Sequence, residues 1–465
     1  MNKKHNLYLY ISFLMLFFVG NQSVAQKYSV EECKEIALKN SWQISISNEQ
    51  LKSAKHLRRL AFSNFFPEIE FTASYVYMNK PIQALQDDIS TGDLINELPG
   101  DWGALIPDFF NGFVLFPADR TQIGQHHNHL FNFSLKQPIF AGGKILESYK
   151  MSKVMADLMQ VNADLDRHKL LYEIEELYWN LVNIEEQEKL VLSYHNMLKI
   201  LLKDMEAYYS QGIIVRNDLL RVQVKLNELD LSLFKIQNGR KLTKMALAQK
   251  MGIDINSPIE VSDDGLKDPS GEISPSEYKL ENVVSRPELR LLQNNVKISE
   301  SAFRIAKGSF LPTIGVGANY FFMNPNIHRG IANEFTNDYI FAFQVSVPIF
   351  HAFQKHHMYN LTKSNLLVAQ SKLQDAHQQI ALEYIMVSNE LEETIKQIQI
   401  TKLTMEQANE NLRISQDRFN EGALQTRDLL EAQALWQEAQ SHYIEAKAQY
   451  NTLLLKQKKA SGQIE

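Results

Sequence analysis

Apolar residues recur at every seventh position over two long stretches of the chain. The first series is Leu170, Leu177, Ile184, Val191, Leu198 and Met205, and the second is Tyr384, Leu391, Ile398, Met405, Leu412 and Phe419. A repeat of seven places these residues along one seam of an α-helix. No proline interrupts either stretch, since none lies between Pro138 and Pro258 or after Pro348. The pattern therefore predicts two helices of about 60 residues, each roughly 90 Å long.

Each long helix is expected to end at a glycine and to be followed by a second helix. Glycine readily adopts the left-handed conformation that closes helices. Six residues after each glycine stands an aspartate, where an N-cap acid would begin the next helix. The chain is thus predicted to form two antiparallel helical hairpins. Their tips are 212–218 and 422–428, with the characteristic residues Gly212, Asp218, Leu219, Gly422, Asp428 and Leu429. For the two aspartates, plain helix capping stays open as an alternative to a functional role.

Four segments alternate between apolar and polar residues, which is the period of a β-strand. In the first, Ile69, Phe71 and Tyr75 share one face and Glu68 and Thr72 share the other. The predicted strands are 68–78, 129–139, 312–323 and 339–350. Strands of about ten residues with an apolar, aromatic face and a polar, small face are typical of a transmembrane β-barrel, although a soluble sandwich shows the same alternation.

Four strands cannot close a barrel. An open sheet in lipid leaves unpaired backbone groups at its edges, each costing several kcal/mol, so the edges must pair with other copies of the chain. The sequence therefore predicts an oligomer. Residues 79–127, between the first two strands, are expected to form an outer loop that folds into a small lid or plug-like structure.

Several motifs occur twice at one constant spacing. Pro138-Ile139-Phe140 recurs as Pro348-Ile349-Phe350, 210 positions later, and the two tip motifs have the same spacing. This agreement predicts an internal duplication, with a first repeat at 26–252, a linker at 253–287 that includes a short helix around 276–285, and a second repeat at 288–465.

Prolines and glycines mark the predicted junctions between strands and helices. These junction residues are Pro67, Pro138, Gly142, Gly143, Pro312 and Pro348. The second repeat lacks the glycine pair and reads His351-Ala352-Phe353 instead, so its bend is expected to be gentler or differently packed.

The N-terminal residues have the layout of a secretory signal peptide. Lys3 and Lys4 precede the apolar run 7–19, and Ser23-Val24-Ala25 forms a small-residue cleavage site. The run is short for a membrane-spanning anchor, which needs about 20 apolar residues. We therefore predict that residues 1–25 are a signal peptide.

Composition narrows the possible functions. The chain has 465 residues and a net charge of −6, and this mild acidity argues against nucleic acid as a partner. Cys33 is its single cysteine, which excludes an internal disulfide. Neither a nucleophile elbow nor a phosphate loop nor a zinc-protease motif occurs, so no enzymatic activity, cofactor or metal is expected. Two groups of histidines could ligate a metal, but no Cys or carboxylate spacing completes a site, so polar interfacial roles fit them better. They are His126, His127, His129 and His351, His356, His357.

Taken together, these motifs resemble the TolC-like outer membrane efflux protein family over essentially the whole mature chain. The segment Tyr28 to Cys33 resembles the family's first helix, and Gln137-Pro138-Ile139-Phe140-Ala141-Gly142-Gly143 its junction between strand and helix. The two turns that run from glycine to Asp-Leu-Leu resemble its hairpin tips.

The resemblance implies an α+β membrane protein that works as a homotrimer. Each copy would contribute four strands to a 12-stranded transmembrane β-barrel in outer membrane lipid, and its hairpins to an α-helical barrel that crosses the periplasm. The tips would dock a periplasmic adaptor coupled to an inner-membrane RND or ABC pump, in an efflux or type I secretion system.

The family's inner gate, carried over to this sequence, falls on Asp428 and Glu431. Three copies of each would form carboxylate rings that attract cations and repel anions. Asp218 and Arg221 occupy the equivalent place in the first tip, and Arg221 or Arg427 would hold the closed state by pairing with neighbouring acids.

Two other classes of protein remain as alternatives. A periplasmic adaptor also contains a long helical hairpin, but only one, set between β-domains. A coiled-coil scaffold would leave the four strands without a role.

Overall fold

The structure is a computed structural model. It describes residues 26–79, 82–83, 87–96, 114–116, 122–123, 125–263, 265–266, 286–329 and 332–462. The predicted signal peptide, much of the predicted outer loop and the predicted linker helix at 276–285 lie outside these residues.

Eight α-helices and ten β-strands are present in the described part of the chain. The helices are α1 (Val30–Asn40), α2 (Trp42–Ser63), α3 (Thr91–Asn96), α4 (Lys144–Ser210), α5 (Arg216–Met251), α6 (Pro287–Gly308), α7 (Gln354–Asn420) and α8 (Thr426–Ala460). The strands are β1 (Gln26–Tyr28), β2 (Glu68–Tyr77), β3 (Ile82–Gln83), β4 (Ile89–Ser90), β5 (Val114–Phe116), β6 (Gln122–Ile123), β7 (His127–Ala141), β8 (Ile259–Val261), β9 (Thr313–Asn324) and β10 (Thr336–Ser346). None of these helices is long and apolar enough to cross a membrane.

The chain divides into two compact units. One consists of Met1–Lys55, Met155–Val296 and Val368–Glu465, and it contains most of the long helices. The other consists of His56–Val154 and Lys297–Leu367, and it contains the largest sheet.

The long helices form two hairpins of nearly equal size. Helices α4 and α7 each have 67 residues, about 100 Å at 1.5 Å per residue. Helices α5 and α8 have 36 and 35 residues. Each hairpin is thus a full-length helix followed by a partner of about half its length.

The predicted heptad seams are largely buried. In α4, Leu170, Leu198 and Met205 are fully enclosed, and in α7 Leu391 and Ile398 are nearly so. Apolar residues at this spacing lie on one side of a helix, and burying them stabilises each helix along its length.

A hydrophobic core packs the start of the chain against the first hairpin. Helix α1 begins with a capping box, in which the Ser29 hydroxyl accepts a hydrogen bond from the Glu32 amide and the Glu32 carboxylate accepts one from the Ser29 amide. Behind it, strands β1 and β8 pair in parallel, and the Tyr178 hydroxyl donates to the Asp263 carboxylate at 2.6 Å. Cys33 is buried in this core, and burial raises the pKa of its thiol to about 12.

The largest sheet has four antiparallel strands in the order β10, β9, β7, β2. The register places Phe71, Phe133 and Tyr320 on neighbouring strands of one face, with Tyr339 beside them on β10. These aromatic side chains are between 42% and 67% exposed. An apolar face with this exposure needs a covering that the sheet itself does not supply.

The ends of two strands differ from their prediction. Strand β7 continues to Ala141, so Pro138 lies inside it and not at a junction. The register with β9 shifts between Pro138 and Phe140, and such a bulge accommodates a residue that cannot donate a backbone hydrogen bond. Strand β10 ends at Ser346, four residues before the predicted end, and the chain then reaches α7 through Pro348.

Candidate functional site: the hairpin tips and the strand-helix junctions

The two hairpin tips have the same backbone. Gly212 and Gly422 adopt φ angles of 73° and 74°. In the first tip the Ile213 amide donates to the Tyr208 carbonyl at 2.9 Å, and in the second the Ala423 amide donates to the Arg418 carbonyl at 2.8 Å. This is the Schellman arrangement, which satisfies the last carbonyl groups of a helix. Both glycines therefore end their helices as predicted.

The two aspartates do not cap the next helices. The N-cap residues are Val215 and Gln425, and neither makes a side-chain capping hydrogen bond. Asp218 and Asp428 lie one turn further on, inside the first turn of α5 and α8. A carboxylate there still interacts favourably with the positive end of the helix dipole. The N-cap prediction was wrong because α5 and α8 begin three residues earlier than the spacing suggested.

One cluster of buried side chains includes residues of both tips. Met205 and Val222 come from the first hairpin, and Leu412, Leu429 and Ala432 come from the second. Leu219 and Leu430 pack against it while partly buried. The two tips are thus parts of one packed body.

The charged groups of the tips differ in their surroundings. The Arg427 guanidinium donates to the Asp428 carboxylate across 3.2 Å, with the Asp428 side chain 37% exposed. Glu431 and Arg221 are exposed, and Asp218 is partly buried. Within the described residues, neither Arg221 nor Asp218 has an ion-pair partner. The structure thus pairs Arg427 inside its own chain and leaves Arg221 available for another partner.

Helix α7 carries an ion-pair ladder that was not predicted from the sequence. The Arg413 guanidinium donates twice to the Glu410 carboxylate and once to Asp417, one turn away on either side. These hydrogen bonds lower the pKa of Glu410 and raise that of Arg413. Spacings of three and four residues between opposite charges were the signal that could have found the ladder.

The first strand-helix junction requires its glycines. Gly142 and Gly143 have φ angles of 63° and 76° between β7 and α4. A β-carbon on Gly142 would collide with the backbone of Gly308, whereas one on Gly143 would meet open space. Conformation and close backbone approach thus both select glycine at position 142.

The second junction makes the same kind of turn without glycine. Ala352 and Phe353, 210 positions after the glycine pair, have φ angles of 44° and 61°. Of the two alternatives expected, the gentler bend was wrong, since the backbone adopts the left-handed region at both junctions, and a difference in packing stays a prediction. For residues with a β-carbon this conformation costs about 1–2 kcal/mol each.

The two histidine groups pack mainly against aromatic side chains and one another. The Tyr75 hydroxyl and Nδ1 of His127 share a hydrogen bond of 2.8 Å, and His129 packs against Phe335. His356 and His357 contact each other at the start of α7. Among the described residues, no three His, Cys, Asp or Glu side chains gather as a metal site.

Several solved structures with this fold are outer membrane proteins or channels. The outer membrane protein VceC from Vibrio cholerae matches with a TM-score of 0.73 and 15% identity, over 93% of this chain and 96% of its own. The CmeC outer membrane channel of Campylobacter jejuni gives 0.76 and 17%, over 94% and 86%. The open state of the MtrE outer membrane channel of Neisseria gonorrhoeae gives 0.68 and 17%, over 93% and 88%. No protein with a curated description matches the sequence.

The family model for outer membrane efflux proteins matches residues 35–253 and 281–463. The matched residues include both hairpins and all four strands of the largest sheet. The chain therefore belongs to the outer membrane efflux protein family, whose members are exit ducts in the outer membrane for tripartite efflux systems.

Proposed function

We propose that three copies of this chain assemble into one exit duct, and that the four-stranded sheets of the copies close a 12-stranded barrel in the outer membrane. The observation that carries this proposal is that, in the part of the chain that the structure describes, the two edge strands of the sheet lack a partner on their outer side. Strands β2 and β10 each have a paired neighbour on one side only, among the described residues. Pairing β10 of one copy with β2 of the next satisfies both edges, and the number three comes from the family resemblance.

The two faces of the sheet fit lipid on one side and water on the other. On one face, Ile69, Phe341 and Phe343 are 71%, 78% and 70% exposed in the single chain. On the opposite face, Glu70 and Lys136 form an ion pair across 3.7 Å between β2 and β7. Burying the first face in hydrocarbon and keeping the second in a water-filled pore is the favourable arrangement.

The helices also support assembly with further copies. Ser441 of α8 donates to Gln187 of α4, so the two hairpins contact each other through these helices within the chain, and α5 and α7 remain for contacts with other copies. Helix α5 and helix α7 each carry an exposed apolar stripe on one face. The stripes are Leu220, Val224, Leu231, Phe234 and Leu242 on α5, and Leu382, Met386, Ile400, Leu403 and Ile414 on α7. We propose that α5 of one copy packs against α7 of the next to form an α-helical barrel in the periplasm.

The pore gate is proposed to lie at the tips, where Asp428 and Glu431 face the pore axis. Three copies of each carboxylate in a narrow passage would attract cations and repel anions. Asp218 and Arg221 hold the equivalent positions in the first tip, so the two charges there offset one another. Arg221 of one copy is free to pair with an acid of the next and keep the closed state, and Arg427 holds Asp428 in place.

The tips are also the proposed docking site for the periplasmic adaptor. Ile213 and Val215 of the first tip are 64% and 65% exposed, although they are apolar. A partner that covers them gains free energy from their burial. Through the adaptor, the duct would receive cargo from an inner-membrane RND or ABC pump, which supplies the energy for transport.

Cell fractionation and variants on α5 test the assembly. We expect the wild-type chain in detergent-extracted outer membrane as a heat-modifiable oligomer that conducts ions in planar bilayers. Substituting Leu231→Asp and Phe234→Asp on the stripe should yield monomers, because both positions would bury a charge between copies. The control Gln237→Asp, also exposed on α5 but off the stripe, should leave the oligomer intact. A soluble periplasmic monomer of the wild type would favour an adaptor or a scaffold instead.

A further inference from the structure

The second strand-helix junction carries a cluster of side chains to which the proposed duct assigns no role. We call it the junction patch, and it consists of Ile349, Phe350, His351, Phe353, Lys355, His356 and His357, all exposed except Lys355, which is partly buried. Its three apolar members, Ile349, Phe350 and Phe353, are 94%, 73% and 69% exposed. The patch continues the exposed apolar face of β10 directly toward α7.

The charge of the chain segment that carries the patch is one-sided. No Asp or Glu occurs from Tyr339 to Gln374, although the chain as a whole is acidic. The segment 129–164, 210 positions earlier, contains three acidic residues. None of the patch's lysine or histidine side chains forms an ion pair with the described residues. Nearby, Phe303 of α6 packs against Tyr359 of α7, and Lys307 lies 4.5 Å from the Phe303 ring centroid. This packing brings another positive charge to the start of α7.

The conformation of Phe353 points to a covering group outside the chain. Its φ of 61° lies in the left-handed region, where the residue at the corresponding position of the first junction is Gly143. The Phe353 ring makes an edge contact with Phe350, at 6.1 Å between centroids, and is otherwise largely exposed. A strained backbone with an exposed aromatic ring persists only when another interaction offsets its cost.

We propose that the junction patch binds the headgroups of anionic phospholipids in the periplasmic leaflet of the outer membrane. This inference rests on the proposed function, which puts the strand ends next to α7 at the periplasmic side of the bilayer. Phe350 and Phe353 then lie at the membrane–water interface, where aromatic side chains are favoured. The Lys355 ammonium and the imidazole N–H groups donate to phosphate oxygens, and the lack of carboxylates in segment 339–374 lowers the repulsion that an anionic headgroup would meet. The carboxylates of Glu147 and Glu300 on neighbouring helices are paired with Arg304.

Lipid retention by the purified oligomer tests the proposal. The probes are phosphatidylglycerol and phosphatidylcholine, added to the full-length protein in detergent micelles and counted by native mass spectrometry. We expect about fivefold tighter retention of phosphatidylglycerol, which corresponds to one lysine near an anionic surface. The triple variant Lys355→Gln, His356→Gln, His357→Gln should retain both lipids equally. The control Lys363→Gln, Lys372→Gln removes two charges further along α7 and should keep the preference.

Three outcomes would overturn the proposal: no preference in the wild type, a preference that survives in the triple variant, or dissociation of the triple variant into monomers. The last would mean that a second copy of the chain covers the patch. Phe353→Gly adds an independent readout, because it should weaken retention of both lipids while the oligomer stays at least as heat-stable. The conductance of the wild-type protein tests the proposed function separately, so a conducting oligomer without lipid preference contradicts the lipid proposal alone.

Discussion

The two hairpins have almost the same backbone but stabilise it with different chemistry. In the first, the seam of α4 buries Glu188 and His195. Glu188 accepts a hydrogen bond of 2.6 Å from Arg240 of α5, and His195 pairs with Asp230 of α5 at 2.9 Å. In the second hairpin, the positions that correspond to Glu188 and Arg240 are Ile398 and Tyr450, which lie in an apolar cluster.

This difference shows that the backbone of a hairpin does not require the polar pairs. Helix lengths differ by at most one residue and the glycine turns are the same in both hairpins, so neither feature depends on the polar pairs of the first hairpin. A buried ion pair adds little net stability over an apolar pair, because removing the charges from water is costly. Its best attested use is to fix one register between helices, since a shifted α5 would leave Glu188 buried without a partner. We infer that the first hairpin uses its Glu188–Arg240 ion pair to fix the register between α4 and α5, and that the second hairpin relies on the packing of apolar side chains.

Removing the partner of a buried carboxylate should give the largest effect. Arg240→Ala leaves the Glu188 carboxylate, which is only 8% exposed, without its counter-charge. We expect the free energy of unfolding to fall by about 3 kcal/mol. Denaturant unfolding of the purified protein in micelles, followed by helical circular dichroism, measures this loss.

The double variant Glu188→Ile, Arg240→Tyr transfers the second hairpin's pair to the first and is the matched control. It should recover most of the lost stability, because apolar side chains of similar size replace the charges. If the double variant is as unstable as Arg240→Ala, the pair contributes more than register, and the comparison between the hairpins fails.

The two junctions offer a second comparison, with a somewhat smaller effect. Gly142→Ala combines a left-handed φ with a collision against the Gly308 backbone, so we expect a loss of about 2 kcal/mol or more. Gly143→Ala has the left-handed φ but meets open space, so its loss should be about 1 kcal/mol. Thermal unfolding of both variants tests whether Gly142→Ala is the more destabilising substitution. Equal losses of stability would show that the close approach of the Gly308 backbone does not add to the cost of the substitution.

The sequence predicted the parts of this fold that depend on periodicity. Seven-residue and two-residue patterns identified the long helices and the two faces of the sheet, and glycine identified the tips. It failed where two segments distant in the chain decide the outcome. The bulge at Pro138 depends on the register with β9, and the partner of Glu188 depends on how α5 lies against α4. The turn at Ala352 and Phe353 was missed because residues with a β-carbon seldom adopt it.

The two tips differ in charge, and this difference predicts a difference in ion conduction. Asp428→Ala with Glu431→Ala removes two negative charges per copy at the proposed gate. We expect higher single-channel conductance and a cation preference reduced about fivefold, as for a loss of about 1 kcal/mol of ion attraction. The matched variant Asp218→Ala, Arg221→Ala removes one charge of each sign, so the cation preference should change little. Unchanged conductance and selectivity in the first variant would rule out the gate assignment.

The smallest expected effect is a gain in stability at the second junction. Ala352 has a left-handed φ of 44° and an exposed side chain. Ala352→Gly relieves the strain of the β-carbon, although glycine loses more conformational freedom on folding. The net result should be a stabilisation of about 0.5–1 kcal/mol. The converse substitution at the first junction, Gly142→Ala, is expected to be destabilising, so the same pair of residues should act in opposite directions at two positions 210 residues apart. A loss of stability in Ala352→Gly would mean that the Ala352 methyl group makes a contact, in the oligomer or with lipid, that outweighs the backbone strain.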